Sequence, residues 1–141
     1  MASEFLLEIT TPEHTFFSGM VEMIIVDTID GKMGILKSHL PIVTVLKTGE
    51  VDIKKDGKKR IASSSVGFME VLSNKVALFL ESIEWADEVD IERSTEAKER
   101  AEKALQNTAL SQMERGIHIA ALERANSRLK IAQTFKSDEK K

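Results

Sequence analysis

The stretch GKMGILKSHLPIV, from Gly31 to Val43, gathers residue types that hold anions or seat a partner. It carries two glycines three apart, two lysines, one of three histidines and one of two prolines. Three chemistries fit: a phosphate cradle, a nucleic-acid clamp, or a docking surface for another protein. A phosphate loop needs Gly-x-x-x-x-Gly-Lys-Ser/Thr ahead of a helix. Gly31 and Gly34 are too close for that, and apolar Ile35-Leu36 follows. A nucleic-acid Gly-x-x-Gly loop lies between helices on a basic surface. Here strands flank the stretch, and the chain has a net charge of −3. What remains is a long structured loop at one end of a β-sandwich. Asp30-Gly31 reads as its first turn, Gly34 allows a second bend, and Leu40-Pro41 makes an extended entry into Ile42-Val43.

Other chemistries find no residues. The absence of cysteine excludes disulfides, thiolate zinc sites and cysteine nucleophiles. His14, His39 and His118 form no His-x-x-x-His or His-x-His pair, so no metal is expected. No nucleophile stands beside a base, and the chain is not expected to be an enzyme. The acidic balance argues against nucleic acid and against direct binding to anionic membrane. Ala2-Ser3-Glu4 after Met1 offers neither a basic nor an apolar leader, so no secretory signal is expected. No apolar run approaches the ~20 residues of a membrane-spanning helix. Any membrane association would go through a partner.

These residues must be positioned by two kinds of element. The first ~85 residues alternate with period two. Phe5, Leu7 and Ile9 alternate with Leu6 and Glu8, and Thr11-Pro12-Glu13 breaks the run. Val21 to Val26 reads as one strand buried mostly on both faces. Val51-Asp52-Ile53 and Arg60-Ile61 flank Asp56-Gly57, and Val66 to Leu72 and Val76 to Leu80 flank Ser73-Asn74; both dipeptides predict hairpin turns. Short strands with frequent turns predict a sandwich or small barrel. After Trp85 the composition favours helix, with no glycine or proline from Asp90 to Gln106. Asp90 is a plausible N-cap, and Glu92 suits the first turn. A second helix is expected over Ser111 to Phe135, and Lys136 to Lys141 is expected to fray. Ala97, Ala101, Ala104 and Leu105 make one stripe; Ile117, Ala121, Ala125, Leu129 and Ala132 make the other. Alanine stripes let two antiparallel helices approach closely. They also bury little area, so the pair is expected to be marginal. The fold class is therefore α+β: a β-sandwich of about ten strands over 1–86, then an antiparallel two-helix hairpin over 87–141.

The order of motifs resembles the epsilon subunit of bacterial rotary ATP synthases. The run Gly34-Ile35-Leu36, His39-x-Pro41, Leu46-x-x-Gly49 and a lysine-rich hairpin is similar to that family's Gly-x-x-Gly-Ile-x-Pro-Gly-His-x-Pro region, with Lys37-Ser38 where Pro-Gly is common. Thr11-Pro12-Glu13 with Phe17-x-Gly19, Val66-Gly67-Phe68-x-Glu70-Val71 with Asn74-x-Val76, and Ala97-Lys98-Glu99-Arg100-Ala101-Glu102 also resemble family segments. The resemblance runs from about Leu6 to Ala132. It implies a ten-stranded sandwich that grips the gamma subunit of the central stalk and rests on the membrane c-ring. Gly31, Lys32, Met33 and Gly34 would lie near the ring, and Ile35 and His39 near the stalk. Lys32 stands where the family is often acidic. The subunit would be peripheral, on the cytoplasmic face of the bacterial cell membrane, in an enzyme that moves H⁺ or Na⁺.

The family's hairpin has two arrangements. Folded, it permits ATP hydrolysis; extended, it reaches the catalytic alpha/beta hexamer and inhibits, and Arg115, Lys130 and Lys136 would then approach acidic segments. Some members bind ATP in the folded hairpin through Ile/Leu-Asp-x-x-Arg-Ala and Arg-x-x-x-Arg. The matching segments here are Val89-Asp90-Ile91-Glu92-Arg93-Ser94 and Arg124-Ala125-Asn126-Ser127-Arg128. Arg93 and Arg100 are seven apart, Arg124 and Arg128 four apart, so each pair shares a helix face. The resemblance thus implies a regulatory ATP site of Glu84, Asp90, Arg93, Arg100, Arg124 and Arg128, with no required cofactor. Surface ion pairs with Glu92, Glu96, Glu99 and Glu123 are the structural alternative for these arginines. The rival functions are a free-standing sandwich enzyme or nucleotide-sensing protein, and a coiled-coil adaptor; sustained heptads for the last are lacking.

Overall fold

The computed structural model describes residues 3–37 and 39–139. The chain divides into two compact units, Met1–Trp85 and Ala86–Lys141. The first holds ten strands: β1 (Phe5–Thr10), β2 (Thr15–Val21), β3 (Met23–Thr28), β4 (Gly31–Leu36), β5 (Ile42–Leu46), β6 (Gly49–Lys55), β7 (Lys58–Ser64), β8 (Gly67–Val71), β9 (Lys75–Leu80) and β10 (Ile83–Trp85). They pair in the order β10-β7-β6-β3-β5-β8-β9-β1-β2, with β4 on β3. The single pairing Thr28↔Leu46 joins the two layers. The β1–β9 pairing is parallel.

Alternation decides what each strand buries. Phe5, Leu7 and Ile9 of β1 point into the core, and their neighbours are half-buried. Ile24, Ile35, Leu46, Met69 and Leu78 complete the centre. At one edge Phe16 and Phe17 pack on Trp85, with ring centroids 4.6 and 6.3 Å away. The Asp56-Gly57 turn forms as expected, with φ of 53° and 74°. Both values lie where a two-residue hairpin turn of the I′ type needs them.

Two expectations about strands need correction. The segment 21–26 is not one strand, because the chain steps from β2 to β3 at Glu22, whose N–H donates to the Lys54 carbonyl (2.8 Å). Gly31 to Leu36 is not a loop. It is strand β4, paired with β3 from Met23↔Leu36 to Thr28↔Gly31. Gly31 does take a positive φ of 117°, as the turn requires. Gly34 makes no bend: it lies flat in the strand opposite Ile25. Ser38 lies outside the described residues.

The second unit opens with a 3₁₀ turn, Ala86–Glu88, followed by α1 (Ile91–Leu105) and α2 (Gln112–Glu139). Asp90 caps α1, its Oδ1 accepting from the Arg93 N–H at 3.0 Å. Ser111 and Glu114 cap α2 reciprocally: Ser111 Oγ accepts from the Glu114 N–H, and Glu114 Oε1 from the Ser111 N–H. α1 and α2 pack as an antiparallel pair joined by a short connection. Ala101, Ala125 and Ala132 are buried in this unit as expected. Ser94 and Ile131 are buried too. Ile117 is not part of the seam and is 60% exposed. Successive steps of four residues each drift about 40° around a 3.6-residue helix, so Ile117 stands roughly 80° away from Ala125. Nor does the helix end at Phe135: it continues through Lys136 to Glu139, and Lys140 and Lys141 lie outside the described residues. No helix among the described residues is long and apolar enough to cross a membrane.

Candidate functional site

The β3–β4 hairpin presents the first group of candidate residues. Its turn is built locally: Thr28 Oγ1 donates to the Gly31 carbonyl (2.7 Å) and accepts from the Asp30 N–H (3.1 Å). Gly31, Lys32 and Gly34 are exposed on β4, and Met33 packs partly against the core. Ile35 departs from its expected role. Its side chain is fully buried, so it anchors β4 and offers a partner no contact. His39 is half-buried, and its Nδ1 donates to the Leu40 carbonyl at 2.8 Å, which fixes that tautomer.

Charges behind this hairpin were not singled out from the sequence. Lys32 Nζ pairs with Asp27 Oδ1 at 3.1 Å, while Asp27 Oδ2 accepts the Glu50 N–H at 2.9 Å. Burial alone would raise the Asp27 carboxyl; the Glu50 N–H and the Lys32 ammonium outweigh it and hold the group below its ordinary value. Lys32 is correspondingly raised: burial opposes its charge, and the hydrogen bond to Asp27 prevails. Gly49 permits this approach, since a Cβ there would land on the Asp27 carboxylate.

Glu50 and Asp52 are two apart on β6 and share a face. Burial and then the Asp52 carboxylate push Glu50 up to about 7. Asp52 Oδ1 is buried without a donor, and Lys59 stands 3.8 Å from Oδ2. A proton on Glu50 turns an acceptor–acceptor contact into a hydrogen bond. The folded pKa exceeds the unfolded one, so the stability from this pair is complete below about pH 4.5 and is lost as pH rises through about 7. Glu50→Gln is expected to remove that slope. Glu50 is half-buried and solvent still screens the pair in part, so the effect is about 1 kcal/mol. Melting temperatures at pH 5 and pH 8, compared between the two chains, measure it.

Register carries this row across the sheet. Lys32 faces Asp27, Asp27 binds Glu50, Glu50 faces Ser63, and Ser63 faces Glu84. Two candidates from different expected sites, Lys32 and Glu84, thus end one row of five strands. Neighbouring strands are ~4.8 Å apart, so the row spans about 19 Å. A pair of acidic residues at i and i+2 on a strand was the sequence signal for its middle.

The remaining candidates belong to the helical unit. Arg93 and Arg100 each precede a buried residue of the seam, Ser94 and Ala101; Arg124 precedes buried Ala125. One residue back is a rotation of about −100°, and Arg128 lies at about −60° from Ala125. A two-fold axis normal to the plane of two antiparallel helices leaves the flank unchanged. All four arginines therefore border the same side of the seam. The connection is centred between Thr108 and Ala109, which sets Arg93 roughly level with Arg124. Arg100 stands seven residues along α1, about 10 Å away at 1.5 Å per residue. This flank can hold an extended polyanion such as a triphosphate, contacted at several points. Asp90 Oδ1 is committed to the α1 cap. Arg115 is drawn to the hairpin connection, its Nη2 donating to the Asn107 carbonyl at 3.3 Å. Among the described residues no cluster of three or more His, Asp or Glu side chains is arranged to hold a metal ion.

Together these features define a two-unit chain: a sandwich with a charged hairpin at its rim, then a thin-seamed helical pair with arginines along one flank. Residues 4–86 match the family model for the ATP synthase delta/epsilon chain β-sandwich domain, and residues 87–133 match that for its long α-helix domain. The chain belongs to the ATP synthase delta/epsilon family. It is 45% identical over 137 residues to an ATP synthase epsilon chain of Caldicellulosiruptor bescii, covering 96% of this chain and 98% of that one. It is 48% identical over 105 residues to one from Alkaliphilus oremlandii, covering 74% and 78%. In fold it is similar to a chain in the Euglena gracilis mitochondrial ATP synthase structure, with a TM-score of 0.77 at 24% identity, covering 90% of this chain and 80% of that one.

Proposed function

We propose that this chain is a non-catalytic central-stalk subunit of a rotary ATP synthase. It couples the gamma subunit to the c-ring through the sandwich, with the β3–β4 hairpin facing the ring. It restrains ATP hydrolysis through the helical hairpin, which has a folded and an extended state and reaches the alpha/beta hexamer when extended. ATP on the arginine flank favours the folded state and acts as a regulatory ligand. The chain sits at the cytoplasmic face of the bacterial cell membrane, held there by its partners.

The observation that carries this reading is the match of both units, in order, to one family over residues 4–133. The seam supports the switch. Alanine and serine hold the buried positions of the helical pair other than Ile131 and offer little apolar area, and a contact worth little is easily exchanged. The Asp27–Lys32 pair supports the docking role, because it stiffens the hairpin that must bear on the ring.

Co-purification from the membranes of the source cell tests the assignment. An affinity-tagged chain is expected to bring down gamma and the alpha/beta subunits. A chain that elutes alone under conditions that preserve the synthase would overturn the reading in favour of a free-standing nucleotide sensor.

A further inference from the structure

The tip of the β6–β7 hairpin has no part in the function proposed above. It gathers Lys54, Lys55, Lys58, Lys59 and Arg60 around Asp56-Gly57, in a chain of net charge −3. The register sets Lys54 directly opposite Lys59 and Lys55 directly opposite Lys58. Like charges in directly opposed positions work against strand pairing. Two such pairs in succession are a cost the fold does not need.

Neighbouring groups relieve little of this charge. Among the described residues only Lys59 of the four lysines has a carboxylate in ion-pair contact, Asp52 at 3.8 Å. Glu22 is occupied by the turn itself, its Oε1 accepting the Gly57 N–H at 2.9 Å. The Arg60 guanidinium lies over the Trp85 ring, 3.6 Å from its centroid. Lys55, Lys58 and Lys59 are exposed, on a turn whose two positive-φ residues fix its shape.

We propose that this tip is a docking finger for an acidic polypeptide segment on another subunit of the assembly. Direction favours protein carboxylates over lipid headgroups. β3 pairs with β6 so that Met23 faces Lys54, and the β3–β4 turn lies at the far end of β3, about 20 Å from the lysines at 3.3 Å per residue. If the β3–β4 turn faces the ring, the finger points away from the membrane; on this point the inference rests on the function proposed above. Four lysines and one arginine supply compact, well-hydrated positive charges that pair with the carboxylates of such a segment. The acidic balance of the whole chain opposes a nucleic acid.

The test replaces Lys54 and Lys55 together by glutamate. Each opposed like-charge pair then becomes a Glu–Lys pair, so the double variant is expected to melt no lower than the original chain. Each chain is titrated into its own ATP synthase depleted of this subunit, at low and at high salt. The variant is expected to bind about tenfold more weakly at low salt, and the two chains to converge at high salt. Equal binding of both chains at low salt would overturn the finger while leaving the proposed function standing. Failure of the original chain to bind the depleted synthase would overturn both. Vesicles of phosphatidylglycerol are the second probe: capture of the original chain but not the variant, with equal binding to the synthase, would assign the tip to lipid and overturn the protein partner.

Discussion

Gly67→Ala is expected to lower the stability of the sandwich by about 3 kcal/mol, near the upper end for an overpacked position. Gly67 begins β8, between β5 and β9, opposite Leu46 on one side and Leu80 on the other. A Cβ there would land on the Phe79 carbonyl oxygen and come within 2.9 Å of the Leu80 Cα. Both obstacles are backbone, so no rotamer change relieves them. β8 and β9 would have to separate at that end, loosening the Glu81 N–H to Val66 carbonyl bond (3.0 Å) and the packing of Met69 and Leu78. For a unit of this size, 3 kcal/mol lowers the melting temperature by about 12–24 °C. Near-UV dichroism follows it, since Trp85 lies in the core of the same unit. Gly34→Ala is the matched control. Its Cβ would meet only Ile25 Cγ1, at an ordinary 3.9 Å, so the change is expected to stay within about 0.5 kcal/mol. Equal melting of the Gly67 variant and the original chain would mean that the β8–β9 ladder opens at little cost.

This contrast shows what could be read from the residues. The Asp56-Gly57 and Ser73-Asn74 turns were legible because turn chemistry is local: the residue types set the backbone angles. Gly34 misled for the complementary reason. A glycine permits a bend without requiring one, and pairing with β3 holds it extended. β4 was hidden because its outer face is Lys32, Gly34 and Leu36 while Gly31 opens its inner face, so no clean apolar–polar alternation marks it. The parallel β1–β9 pairing joins residues almost seventy positions apart, beyond any local pattern. Asp27 and Glu50 are 23 positions apart and meet only once β3 and β6 pair. The arginine flank was more accessible, because helical phase follows from spacing. Even there the buried seam was harder to read: Ser94 enters it and Ile117 does not. A stripe drawn in steps of four winds off the face it is meant to mark.

The flank supports the second large effect. On the proposed reading the isolated chain binds ATP, and Arg93→Ala with Arg124→Ala is expected to weaken binding by at least about 100-fold. The two guanidiniums stand roughly level on opposite helices, where one phosphate can accept from both. A hydrogen bond to a charged group contributes about 1.5–3 kcal/mol. Losing two costs roughly 3–6 kcal/mol, and 1.4 kcal/mol is tenfold. Arg100, two turns along α1, would reach the far end of the same ligand, so Arg100→Ala alone should cost less than the pair. Arg93 is exposed and Arg124 half-buried, and neither replaces a buried seam residue, so the double variant should fold. Isothermal titration with ATP reads the affinity, and the ATP-dependent rise in melting temperature checks it independently. Unchanged affinity in the double variant would move the nucleotide off this flank. No heat and no rise in melting temperature with the folded original chain would remove ATP from the mechanism. The two states proposed for the hairpin would then have to be set by its partner subunits, since a ligand shifts only an equilibrium whose states it binds unequally.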